Sequence, residues 1–188
     1  MIDAGIGNEK LSDKQCRNYG VEYESLMNED LQDLGLTTTD IDMVLMTHLH
    51  HDHACGLTDK EVNAIFSQAT YWKDNQGDYS QRLILFSDSI EPYSGINMIH
   101  TGGHSMITIE SKGEKAVHMS DIFSTTAHLN PLWVAAYEDY PMKSIREKER
   151  LIPYFIQNQY WFLFYHDENY FAVKYQEDRK TIETFISR

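Results

Sequence analysis

Short apolar blocks separated by turn residues run the length of the chain, and their spacing predicts a series of strands and helices. The segment Ile41-Asp42-Met43-Val44-Leu45-Met46-Thr47 reads as a strand, buried over 43–46. Apolar runs at 83–86, 96–99, 106–109 and 116–119 are bounded by turn residues and read as further strands. An aromatic run over 160–165, ending at His166, and the stretch 170–175 extend the series. Helices are expected over 28–35, with Asn28 as cap and Gly35 as stop, and over 143–157 behind Pro141. The second of these should bury Ile145, Leu151, Ile152 and Phe155. Thr58-Asp59-Lys60-Glu61 matches a capping box, which predicts another helix reaching about Phe66. Met1-Ile2-Asp3-Ala4-Gly5-Ile6-Gly7 reads as the end of a strand entering a glycine turn. Alternating strands and helices favour an α/β fold, helices outside sheets, in one domain over 1–188.

Composition narrows the function. With 41% hydrophobic and 12% aromatic residues among 188, a moderate core can form. The net charge of −13 argues against nucleic acid as the main partner, because phosphate binding needs clustered Lys and Arg. Cys16 and Cys55 are the two cysteines, too few for a disulfide framework, so a reducing compartment is expected. No run of 18 apolar residues and no basic-then-apolar leader occurs, so neither a membrane span nor export is expected. Cytoplasmic location follows as the expectation. Nine histidines are the outlying count, and their placement carries the chemistry.

Thr47-His48-Leu49-His50-His51-Asp52-His53 places a His-x-His-x-Asp-His pattern directly after the buried strand. Imidazole nitrogen and carboxylate oxygen are good zinc ligands. His48 and His50 can converge on one ion in a tight loop, with Asp52 and His53 turned to a second. The bland alternative is a solvated, histidine-rich loop. One loop cannot complete two sites, since each zinc takes about three protein ligands and keeps a position open for water. Three distant residues at strand ends are the candidates: His104 behind Gly102-Gly103, Asp121 after 116–119, and His166 after the aromatic run. Taken alone, each is more often an ordinary satisfied polar residue. His51 between the ligands is expected to face away. His100 and His118 are either strand residues or partners that orient ligands. His128, Trp133 and Tyr137 are candidates for the substrate mouth, against a plain packing role. Tyr160, Trp161, Phe162 and Phe164 are expected in the core. Cys55 is expected to be a small buried neighbour of the site.

These motifs make the chain resemble the metallo-β-lactamase-fold superfamily of metallohydrolases. The segments 1–7, 46–57, 99–105, 118–121 and 130–143 are most similar to the quorum-quenching lactonases, of the YtnP type and the N-acyl-homoserine lactone type. The resemblance implies an αββα sandwich holding two zinc ions, with other divalent transition metals as alternatives. His48, His50 and His104 match the first site, Asp52, His53 and His166 the second, and Asp121 the bridging carboxylate. Two ions can share one water and lower its pKa toward neutrality for attack on a lactone or related ester. Asp121 would act as the bridge, and Asp52 could also move a proton to the leaving group. The expected partner is a small-molecule lactone or ester, with association into a homo-oligomer left open. A thioesterase or phosphodiesterase of the same fold is the alternative, and a truncated metal-binding pseudoenzyme a third. A redox di-iron relative would carry glutamate where His50 stands.

Four departures from the family pattern stand out. The family has a long segment ahead of Ile2-Asp3-Ala4-Gly5, so the first sheet is expected to be incomplete and the chain truncated. The His104 block lacks a second Gly-His step after Ser105. The stretch 69–79 looks short. Ser124 stands where the homoserine lactone lactonases carry a tyrosine that assists the substrate carbonyl.

Overall fold

The computed structural model describes residues 1–22, 25–74 and 83–188. Two compact units divide the chain, Met1–Phe86 and Ser87–Arg188. Both are mixtures of sheet and helix, as the alternating pattern predicts.

The first unit opens with α1 (Asp13–Tyr19), started by a Ser12–Gln15 capping box and closed by Gly20 in the left-handed conformation. Next comes α2 (Met27–Asp33). Asn28 lies inside this helix rather than at its cap, but Gly35 stops it as expected. The Gly35 N–H donates to the Gln32 carbonyl and the Leu36 N–H to that of Leu31, a Schellman ending. A three-stranded parallel sheet follows, ordered β1 (Met43–Leu45), β2 (Thr70–Asp74), β3 (Leu83–Phe86), and Ile2 bridges to Leu45 in parallel. Between β1 and β2 lies the single turn α3 (His51–Ala54). Ala4, Val44, Met46, Phe66, Ala69 and Tyr71 form this unit's core.

The helix expected from Thr58 to Phe66 does not form. Asp59 instead accepts hydrogen bonds from the backbone N–H groups of Glu61 and Asn63, and Thr58 bridges Ala64. A side chain that satisfies its own neighbours' donors competes with the helix, and Asp59 wins here. The part of the short stretch 69–79 beyond residue 74 lies outside the described residues.

The second unit is a seven-stranded sheet. Its strands are β4 (Ser89–Tyr93), β5 (Ile96–His100), β6 (Ser105–Ser111), β7 (Glu114–His118), β8 (Trp161–Leu163), β9 (Tyr170–Tyr175) and β10 (Ile182–Ser187), side by side in chain order. All neighbours are antiparallel except β7 and β8. A parallel pair needs a long crossover. Here it is the stretch from Met119 to Tyr160, containing α4 (Pro141–Gln157). Proline at the first turn suits this start, because its missing N–H would have had no helical partner. Along α4 the buried residues are Ser144, Lys148, Leu151, Ile152, Phe155 and Ile156, spaced as one helical face. Its apolar half packs with Val117, Phe123, Phe162, Phe164 and Val173. Tyr160 and Phe162 are core residues as expected, whereas Trp161 is half-exposed. Among the described residues, no helix is long and apolar enough to cross a membrane.

The polar end of the α4 face is less orthodox. Lys148 is fully buried, and its amine donates to the carbonyls of Trp133 and His128. Loss of hydration pulls its pKa down to about 8, against an opposing pull from Glu138. Lys148 therefore ties the segment after β7 to α4.

Below pH 8 the folded protein carries the cost of an ionised buried amine. From about pH 8 to the ordinary lysine value of 10.5 the folded form sheds the proton while the unfolded chain still holds it. Wild-type stability relative to Lys148→Met should therefore rise across that window, by on the order of 2 kcal/mol, in urea unfolding curves. Gly56→Ala should destabilise strongly, because a β-carbon there would lie 1.9 Å from the Ala4 carbonyl oxygen. A loss of roughly 2–3 kcal/mol is expected in the same assay.

Candidate metal centre

In the first unit the centre is built on Asp3. This residue adopts a positive φ of 51°, which Asp tolerates better than most side chains, and it is buried. Its carboxylate accepts from the Thr47 N–H at 2.7 Å, the Thr47 hydroxyl at 2.7 Å and the His53 Nδ1 at 2.8 Å. The backbone locks around it. The Ala4 N–H donates to the His53 carbonyl, the Gly56 N–H donates to Gly5, and glycine at 56 permits that approach. The end of β1 and the α3 turn are thereby held on one carboxylate.

In neutral imidazoles, Asp3 also sets which ring nitrogen carries the proton. A carboxylate only accepts, so His53 donates from Nδ1, and its Nε2 is left with a lone pair. The Thr47 hydroxyl spends its one hydrogen on Asp3. It therefore accepts from His48 Nδ1, 3.0 Å away, which leaves His48 Nε2 with a lone pair too. His48 Nε2 lies 2.9 Å from His50 Nδ1, and His53 Nε2 lies 3.5 Å from an Asp52 oxygen. Neighbouring ligand atoms on a tetrahedral zinc sit about 3.3 Å apart, given bond lengths near 2.0–2.1 Å. The donor set fits a cation in chemistry and in spacing. His48 and His53 are buried, His50 and Asp52 half-buried, and His51 is exposed with its ring edge-on to Tyr19.

In the second unit three of the expected residues come together at the ends of neighbouring strands. His104 closes the β5–β6 hairpin loop, and its carbonyl accepts from the Thr101 N–H and hydroxyl. Gly102 and Gly103 take φ values of 84° and 149°, and a β-carbon at 102 would strike the Lys143 side chain at 2.7 Å. Asp121 lies in the 3-10 turn Ser120–Phe123 that leaves β7. That turn is braced at both ends: the Ser120 N–H donates to His118 Nδ1, and the Ser124 hydroxyl donates to the Asp121 carbonyl. His118 thus supports the turn carrying Asp121, whereas His100 is exposed at the end of β5. His166 Nε2 lies 3.3 Å from Asp121 Oδ1, and His104 offers a ligand atom within 4.8 Å of Asp121.

Ser124 is turned to the backbone, so it does not replace the missing tyrosine. His128, half-buried, has Nδ1 2.9 Å from the Thr125 hydroxyl. Burial, then the Lys148 charge, lower its pKa, partly offset by Asp121. Trp133 and Tyr137 are each 57% exposed, which removes them from the core. Cys55 is half-buried with a free thiol. The functional residue that sequence reasoning passed over is Asp3. The turn-forming Ile-Asp-Ala-Gly stretch marks its backbone, but nothing local marks its carboxylate as the partner of Thr47 and His53.

Residues 1–59 match the Metallo-beta-lactamase superfamily. A protein named as a probable metallo-hydrolase in Methanocaldococcus jannaschii is 33% identical over 89 residues, 45% of this chain. The match spans only 38% of that relative's length. The crystal structure of a probable metal-dependent hydrolase from Staphylococcus aureus is 58% identical, with a TM-score of 0.95, over 100% of this chain and 76% of that one. AidC, a dizinc quorum-quenching lactonase, has a TM-score of 0.78 over 100% of this chain and 74% of its own. At 15% identity that likeness concerns the fold alone. With the 58% identity to the staphylococcal protein over the whole of this chain, and the match of residues 1–59, the chain belongs to the metallo-beta-lactamase superfamily.

Proposed function

We propose that this chain is a metal-dependent hydrolase that binds two divalent transition ions, zinc by the chemistry of its donors, and opens a lactone or related ester. The observation that carries the reading is the Asp3 arrangement. It leaves the Nε2 lone pairs of His48 and His53 beside His50 Nδ1 and the Asp52 carboxylate, as ligands need to be before an ion arrives. In this reading the two units make one domain. By the family resemblance, His48, His50 and His104 would hold one ion, Asp52, His53 and His166 the other, and Asp121 would serve both.

Bound, the ions would supply an activated water and polarisation of the substrate carbonyl. The chain's own residues do the rest. Asp3 and Thr47 hold Nδ1 of His53 and His48 as donors, so that Nε2 of each neutral ring is the ligating atom. The buried Asp121 carboxylate, fixed by the Ser120–Phe123 turn, supplies negative charge where two cations would otherwise repel. Asp52, whose side chain is 42% exposed, can take a proton from the attacking water and hand it to the departing alkoxide. Trp133 and Tyr137 offer apolar surface to an acyl chain, with His128 beside them at the mouth. The lactone assignment rests on the resemblance to the quorum-quenching lactonases. A cytoplasmic setting and a small-molecule substrate complete the proposal.

Purified protein should contain about two zinc ions per chain and hydrolyse a lactone in a panel that also includes a thioester and a phosphodiester. A chelator should abolish turnover and added zinc restore it. Zinc-loaded protein that opens no lactone in a chelator-sensitive way would sink the lactonase assignment. Asp3→Ala frees both histidines to change tautomer, so zinc affinity should fall about 10–100-fold in competition with a chromogenic chelator. Unchanged affinity would show that Asp3 serves only the fold.

A further inference from the structure

We infer that Glu138 is a positioning residue for His104, holding its Nδ1 so that Nε2 is the ligating atom; this rests on the metal-centre reading above. Glu138 sits just ahead of α4. Its side chain is 4% exposed and that of His104 is 8% exposed, with Glu138 Oε2 3.9 Å from His104 Nδ1. Burying a carboxylate is costly unless its oxygens are satisfied. Glu138 is anchored on both: Oε1 accepts from the Tyr140 N–H at 3.1 Å and Oε2 from the Ser144 hydroxyl at 2.7 Å. The Glu138 charge acts on the buried Lys148 amine, which binds the carbonyls of His128 and Trp133 in the same segment.

The His104 loop is shaped to meet this carboxylate. Gly102 leaves room for Lys143, and a β-carbon at Gly103 would stand 3.4 Å from the Tyr140 ring. The two glycines therefore let the hairpin loop settle on the start of α4, beside Glu138. The separation of 3.9 Å is an ion-pair distance rather than a hydrogen bond. A bridging water can span such a separation, and a cation on Nε2 would make the Nδ1–H a better donor to Glu138. Glu138 would do for His104 in the second unit what Asp3 does for His53 in the first. Ligand-orienting carboxylates of this kind typically carry a 10–100-fold effect on metal affinity.

The test uses the full chain, stripped and titrated with zinc against a chromogenic chelator, with circular dichroism to establish folding. Glu138→Ala should weaken one zinc by about 10–100-fold and leave the other near wild type, as His104→Ala does more severely. Glu138→Gln, which can still accept from Nδ1, should recover most of the loss. Histidine nitrogen NMR on zinc-loaded wild type should show His104 protonated on Nδ1, a readout that needs no variant to fold. Wild-type zinc affinity in Glu138→Ala, alongside a loss in His104→Ala, overturns the role of Glu138 and leaves the metal centre standing. His104 protonated on Nε2 overturns it equally. No effect from His104→Ala, or no zinc uptake by wild type, overturns the metal-centre reading and this inference with it.

Discussion

One buried carboxylate organises the first unit. Asp3 takes three donors within 2.8 Å, and two of them belong to Thr47, just past the end of β1. An anion in the interior is stable only when such bonds replace its hydration. Because the third donor is His53, the interaction that makes the burial tolerable also orients a candidate ligand. Through the Thr47 hydroxyl it reaches His48 as well. Structure and chemistry are therefore inseparable here: the bonds that hold the loop also make Nδ1 the donor in both rings, which puts the lone pair of each neutral imidazole on Nε2.

The second unit solves the same problem with different parts. The β7–β8 pair is parallel, so the chain must leave the sheet after His118 and cross back. Asp121 sits at the first turn of that departure and His166 just beyond the return strand, which brings them to 3.3 Å. Lys148 and Ser144 occupy the buried stripe of α4 where apolar residues would be expected. They bind the crossing segment instead of packing against it. That polar end of the helix keeps the 128–140 stretch, with Glu138 in it, close to the hairpin that carries His104.

Legibility in the sequence followed the range of the interactions involved. The strands at 83–86 and 170–175 match β3 and β9, and the helix behind Pro141 is α4, because hydrophobic period and local capping decide such elements. The elements not anticipated lack that signal. α1 buries no residue, and β10 is exposed along most of its length, so neither shows an apolar stripe. The Thr58 capping box was a local signal beaten by another, the Asp59 side chain closing its own turn. Ile145 was placed on the buried face of α4 and is only half-buried, while Lys148 is on that face and fully enclosed.

The sequence by itself determined the α/β character and the His-x-His-x-Asp-His loop. It also determined that donors at 104, 121 and 166 follow strand ends, since all of these are properties of neighbouring residues. Tertiary structure alone decided that Asp3 meets Thr47 and His53, 44 and 50 positions away, and hence which imidazole nitrogen is held as the donor. It also decided that Glu138 stands behind His104 and that Ser124 turns to the backbone. A side chain's partner across such separations depends on how the chain returns on itself, and no spacing within a short window records that path.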